Sequence, residues 1–112
     1  MKRATNRIMQ VKKYIDENVT ADMSLTYIAE KFDINKYYLC HLFKESIGCS
    51  MLQYIKKKRL VLVQSYYESG MSLLDAAMKA GFKNYSSFYK SCRSEVGKAP
   101  SRGIEAIGVN HE

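Results

Sequence analysis

Two short runs of this chain carry side chains suited to touching a base edge or gripping a phosphate. The first is Lys36, Tyr37, Cys40, His41 and Lys44; the second is Tyr85, Ser86, Tyr89, Lys90 and Arg93. On a helix each run falls on one face, opposite an apolar set: Leu39, Leu42, Phe43 and Ile47 in the first, Phe88, Cys92 and Val96 in the second. Lys90 can donate to the N7 and O6 acceptors of guanine, a contact worth about 1–3 kcal/mol of discrimination. His41 suits a purine acceptor or a phosphate. Tyr37 and Tyr89 join a hydroxyl to a flat face for a thymine methyl, and Cys40 suits van der Waals contact; Tyr85 and Ser86 complete the base-reading set. Lys36, Lys44 and Arg93 suit phosphates, as do Ser24, Ser72 and Asn84 with the helix N-termini they open.

Each of these residues also has a plainer reading. An exposed Lys or Arg on a helix, Lys44 and Arg93 included, is often only solvated. Lys56-Lys57-Lys58-Arg59 resembles a nucleic-acid patch, yet three of the four are expected to coat a helix and Arg59 to pair with a carboxylate inside the fold. Cys40-His41 makes a poor metal pair, because adjacent helical residues diverge by about 100° and no paired ligands follow. Neither His41 nor His111 is expected to have a carboxylate at a helical spacing that would orient it. With no phosphate-cradling Gly-rich loop and no nucleophile–base pair, the residues favour neither an enzyme nor a cofactor or metal site.

The elements that must carry these side chains are helices. Pro100 is the single proline, and strand-like alternation is scarce. Ile8, Val11, Tyr14 and Ile15 form a helical stripe with Arg7 and Lys12 turned away, and the helix is expected to end near Asn18. Sliding the chain against itself exposes a repeat. Met23-Ser24-Leu25 recurs as Met71-Ser72-Leu73, with Ala29 matching Ala77 and Lys31 matching Lys79. One residue is then inserted, after which Leu39 matches Phe88, Lys44 matches Arg93, Ile47 matches Val96 and Gly48 matches Gly97. Under this register Tyr37 pairs with Ser86, Cys40 with Tyr89 and His41 with Lys90. Each unit runs short helix, tight turn, second helix. Ser24 and Ser72 stand where a hydroxyl caps the first helix. Asp33 and Gly81 stand in the turns, where a left-handed backbone is tolerated.

Between the units, Ser50 to about Glu68 is predicted to form one long helix with Leu52, Ile55, Arg59, Leu62, Val63 and Tyr66 on its stripe, stopped by Ser69-Gly70. Such a rod is roughly 28 Å long, against roughly 34 Å between successive major-groove faces on one side of B-DNA. The predicted organisation is a first subdomain over 1–49, the linker helix over 50–69, a second subdomain over 70–103 and a tail over 104–112. Tyr14, Tyr27, Tyr54, Tyr66 and Tyr67 fall on or beside apolar stripes, and Met51, Met71 and Met78 are expected as packing filler.

Composition fits this picture. The 112 residues are 46% hydrophobic and 26% charged, enough for a modest core and too apolar for a disordered chain. Eighteen Lys+Arg against 11 Asp+Glu give +7, which favours a polyanionic partner. An odd cysteine count (Cys40, Cys49, Cys92) argues against a disulfide framework and suits a reducing cytoplasm. No apolar run is long enough to span a bilayer, and the first residues lack the apolar region of a signal peptide, so no membrane partner is expected.

The stretch from Leu25 to Ser101 resembles the DNA-binding domain of AraC/XylS-family transcription regulators. The resemblance rests on Ile28-Ala29-Glu30-Lys31-Phe32, Tyr38 to Lys44, Arg59-Leu60, Ala77, Gly81-Phe82, Ser87-Phe88, Gly97 and Pro100-Ser101. The sequence departs from the family in its small Ala76 and Ala80, in Cys92 where Phe is favoured, and in lacking an aromatic soon after Pro100. The resemblance implies an all-α fold of about seven helices, with two helix-turn-helix subdomains and recognition helices at about 36–46 and 85–96. It also implies double-stranded promoter or operator DNA as partner, base contacts at Tyr37, Cys40, His41, Ser86 and Lys90, and contact with RNA polymerase in activators. Any effector-binding or dimerisation domain is expected to lie elsewhere. A protein-interaction module and a nonspecific DNA-coating protein are the rival readings.

Overall fold

A computed structural model describes residues 2–104. Seven helices follow in order: α1 (Lys2–Glu17), α2 (Leu25–Lys31), α3 (Lys36–Ile47), α4 (Met51–Glu68), α5 (Leu73–Lys79), α6 (Tyr85–Val96) and α7 (Pro100–Gly103). The described residues contain no strand, so the all-α expectation holds. His111 and nearly all of the 104–112 tail lie outside the described residues.

The chain divides into two compact units between Ile55 and Lys56, inside α4. In the first unit the α1 stripe Ile8, Val11 and Ile15 is fully buried with Ile28 and Ala29 of α2, Leu39 and Phe43 of α3, and Met51, Tyr54 and Ile55 of α4. Tyr14 meets Phe32 edge-on at 5.8 Å, and the Arg7 guanidinium donates to the Phe32 carbonyl, satisfying a helix-terminal acceptor of α2. In the second unit Leu60 and Val63 of α4 pack with Ala76, Ala77, Ala80, Phe82, Phe88, Cys92 and Ile104. This core uses small residues where two helices cross. Close approach extends to α7, where a Cβ on Gly103 would meet Cys92 Sγ at 2.9 Å and the Lys98 carbonyl at 3.1 Å. Burial pushes the Cys92 thiol pKa up.

Three sequence expectations need correction. The α4 stripe does not pass through Leu52, which is 51% exposed. The helix buries Met51, Tyr54 and Ile55 in one core and Leu60 and Val63 in the other, so its apolar residues do not form a single stripe. Met78 is exposed rather than filler, because α5 is a two-turn helix whose inner side is filled by Ala76 and Ala77. Tyr27 and Tyr67 are likewise exposed, whereas Tyr54 is buried and Tyr14 and Tyr66 are half-buried.

Both short helices end in the same way. After α2, Asp33 takes φ 51°, Asp33 N–H donates to Glu30 O at 3.1 Å and Ile34 N–H to Ala29 O at 2.9 Å. After α5, Gly81 takes φ 110°, Gly81 N–H donates to Met78 O at 3.1 Å and Phe82 N–H to Ala77 O at 3.1 Å. This is the Schellman closure, with a left-handed residue just past the helix and two orphan carbonyls satisfied. Ile34 and Phe82 are thereby turned in onto their cores.

One side-chain cluster ties α1 to α4. Tyr54 Oη donates to Asp16 Oδ1 at 2.5 Å, Lys12 pairs with Asp16 at 3.2 Å, and the same ammonium lies 5.7 Å from the Tyr54 ring centre. Burial first, and the Asp16 hydrogen bond second, raise the Tyr54 pKa to about 12.

Two consequences can be measured by urea unfolding. Gly81→Ala places a Cβ in a left-handed backbone and should cost about 1–2 kcal/mol, while Asp33→Gly should be neutral or stabilising; an unaffected Gly81→Ala protein would show that the turn is not constrained. The raised Tyr54 pKa means the folded state holds a proton that the unfolded chain has lost, so this stabilisation is complete below about pH 10 and fades towards pH 12. Tyr54→Phe removes the hydrogen bond to Asp16 and should cost roughly 1–3 kcal/mol at neutral pH, and it should show a shallower alkaline loss than the parent.

Candidate nucleic-acid interface

The helices α3 and α6 are built alike from their first residue to their last. Asn35 opens α3, its Oδ1 accepting from Tyr37 N–H at 3.0 Å and Tyr38 N–H at 3.2 Å. Asn84 opens α6, its Oδ1 accepting from Ser87 N–H at 2.8 Å. Each helix is 12 residues long. Each closes on a left-handed glycine, Gly48 (φ 96°) or Gly97 (φ 82°), whose N–H returns to the carbonyl of Lys44 or Arg93. The preceding helices are capped by Ser24, which accepts from Tyr27 N–H at 3.0 Å, and Ser72, which accepts from Asp75 N–H at 3.1 Å. Capping satisfies two orphan donors at the start of α3 and one at each of the other three starts, and an anion is favoured at such a helix start.

The inner faces are as expected: Leu39 and Phe43 are fully buried with Leu42 and Ile47 packed beside them, and Phe88 and Cys92 are fully buried beside Val96. Ser91, absent from the expected inner set, is buried as well.

The outer face of α3 presents Tyr37, 76% exposed, with His41 and Lys44 also exposed and Lys36 and Cys40 half-buried. The Lys36 ammonium stands 5.5 Å from the Tyr37 ring centre, so the two residues share one patch. On α6, Tyr85, Ser86, Tyr89, Lys90 and Arg93 are all exposed. Tyr85 also rests edge-on against Phe88 at 5.5 Å, which fixes its ring at the helix start.

His41 does have a carboxylate at helical spacing, contrary to the sequence expectation. Its Nε2 lies 3.0 Å from Glu45 Oε2, one turn on, with both side chains about two-thirds exposed or more. A pair so exposed contributes little to stability. It does orient the imidazole, leaving Nδ1 as the second polar atom of the ring.

Sequence reasoning does not reveal a basic groove that the fold creates. It is a cavity of about 380 Å³ beside α6, lined by Lys56 and Arg59 of α4, by Phe82 and Lys83, and by Ser87, Lys90, Ser91 and Ser94. The signal was present as two helical spacings: Lys56 and Arg59 three apart, and Ser87, Ser91 and Ser94 at four and three. Arg59 borders this groove from α4. Among the described residues, no group of three or more His, Cys, Asp or Glu side chains is placed to hold a metal.

A family model described as "Helix-turn-helix domain" matches residues 28–104. The chain belongs to that family, in its AraC/XylS branch. It is a DNA-binding transcription-regulator domain. Among AraC/XylS-type relatives, the probable transcription factor PqrA of Proteus vulgaris is 26% identical over 102 residues, covering 88% of this chain and 84% of that one. The melibiose operon regulatory protein of Escherichia coli K12 is 29% identical over 96 residues, covering 85% of this chain but 32% of its own length. The chain therefore spans most of one relative and about a third of the other. In fold, it is similar to the DNA-binding domain of AdpA, solved in complex with a target DNA, with a TM-score of 0.77 over 91% of this chain and 93% of that one at 17% identity.

Proposed function

We propose that α3 and α6 are two recognition helices that enter adjacent major-groove segments of one promoter and read it together. The observation that carries this is their matched construction: asparagine cap, 12 residues, buried inner face, polar outer face and glycine stop, each reached from a short helix through a turn closed by the same pair of hydrogen bonds. A helix-turn-helix unit places its second helix in the major groove. In this reading Tyr37, Cys40, His41, Tyr85, Ser86, Tyr89 and Lys90 contact base edges. Ser24, Lys36, Lys44, Ser72, Asn84 and Arg93 contact phosphates and set the register.

The chain acts without catalysis, in the cytoplasm, and no described helix is long and apolar enough to cross a membrane. RNA polymerase is a second partner. An effector-binding or dimerisation domain, where one takes part, is a separate partner of this domain.

The assignment is tested by selecting sites from a random duplex library with variant proteins. Lys90→Ala should lose base preference in one block of the site, at a cost of about 1–3 kcal/mol for that block. Tyr37→Ala combined with His41→Ala should relax the other block and leave the first intact. An even fall in affinity across all sequences would make these residues phosphate contacts, and unaltered preference in both variants would remove α3 and α6 as readers.

A further inference from the structure

Beside α6 the basic groove brings four cations, Lys56, Arg59, Lys83 and Lys90, around the hydroxyls of Ser87, Ser91 and Ser94, with no carboxylate in its lining. That composition is not general to the surface. A groove of similar size, about 400 Å³, at the turn of the first unit is lined by Glu30 and Asp33 with Lys36 as its single cation. Lys56, Lys83 and Lys90 are exposed, and no ion pair among the described residues engages them. Hydroxyl- and ammonium-bearing residues lining one concavity suit a phosphate-type anion.

We propose that this groove holds a backbone phosphate of the bound duplex, making Lys56, Lys83 and Ser87 a clamp beside the second recognition helix. The proposal rests on α6 entering the major groove. Lys90 belongs both to the outer face of α6 and to the groove wall, so the concavity opens at the edge of the reading face. A helix in the major groove has a phosphate strand along each flank, within reach of cations standing beside it. Half or more of protein–DNA hydrogen bonds go to phosphate and sugar, and those bonds fix register without reading sequence. Lys56 and Lys83 then hold the second unit on the strand while Lys90 reaches inward.

The test uses the full chain and its selected duplex. Lys56→Gln with Lys83→Gln should weaken binding roughly five-fold at 0.15 M salt, evenly across sequences, and lower the slope of log affinity against log salt by about 1. Lys56→Arg with Lys83→Arg, which keeps both charges, should restore the slope. In a scan of single methylphosphonate substitutions, one position should weaken the parent protein and leave the Gln pair unaffected. Specific binding by the parent, with no change of slope and no such position in the Gln pair, overturns the groove alone. Saturation of the groove by inorganic phosphate without DNA, with no coupled position on the strand, overturns the duplex as its occupant. Absence of any sequence-specific duplex binding by the parent overturns the reading of α6 and this proposal together.

Discussion

The tight turn after each short helix is the constraint on which the rest depends. At Asp33 and Gly81 the backbone swings into the left-handed region, and two hydrogen bonds return to the last carbonyls of the helix just finished. That geometry does three things at once. It satisfies acceptors that a helix end would otherwise leave open. It drives Ile34 and Phe82 into their cores, so the turn is held by packing as well as by hydrogen bonds. It also delivers the chain to an asparagine whose side chain starts the next helix, which sets the direction in which the polar face of α3 or α6 looks out.

The two copies reach this result with different residues. The first unit uses an aspartate at the strained position, since a short polar side chain tolerates it, and builds a core of large aliphatic and aromatic groups. The second uses glycine and three buried alanines, with Cys92 small enough for Gly103 to approach its sulfur. A Phe in place of Cys92 would need the room that α7 occupies. The departures from the family pattern are therefore matched to one another: small residues in α5 and α6 go with a closely applied α7.

Much of this was legible in the sequence because it rests on local rules. Helix starts at Ser24, Ser72 and Asn84, left-handed turns at Asp33 and Gly81, and the inner faces of α3 and α6 all follow from residue type and a 3.6 period. The misreadings have one cause, which is that periodicity says nothing about what lies across from a helix. The 3.6 period suggests a single stripe on α4, whereas the helix serves two cores and leaves Leu52 outside both. Residue type suggests Met78 as filler, whereas Ala76 and Ala77 fill the inner side of α5. The His41–Glu45 pair, one helical turn apart, is legible from spacing alone. The basic groove was harder, because its lining comes from α4, the α5–α6 turn and α6, which only the fold brings together.

The central claim is that one chain reads DNA with two helices at once. The most direct measurement is a hydroxyl-radical footprint of the monomeric protein on the duplex that emerges from random-library selection at physiological salt. Two protected blocks about one helical turn apart, both on the same face of the duplex, are the expected result. A single protected block would contradict it, leaving one unit as the reader and the other as a grip on the backbone.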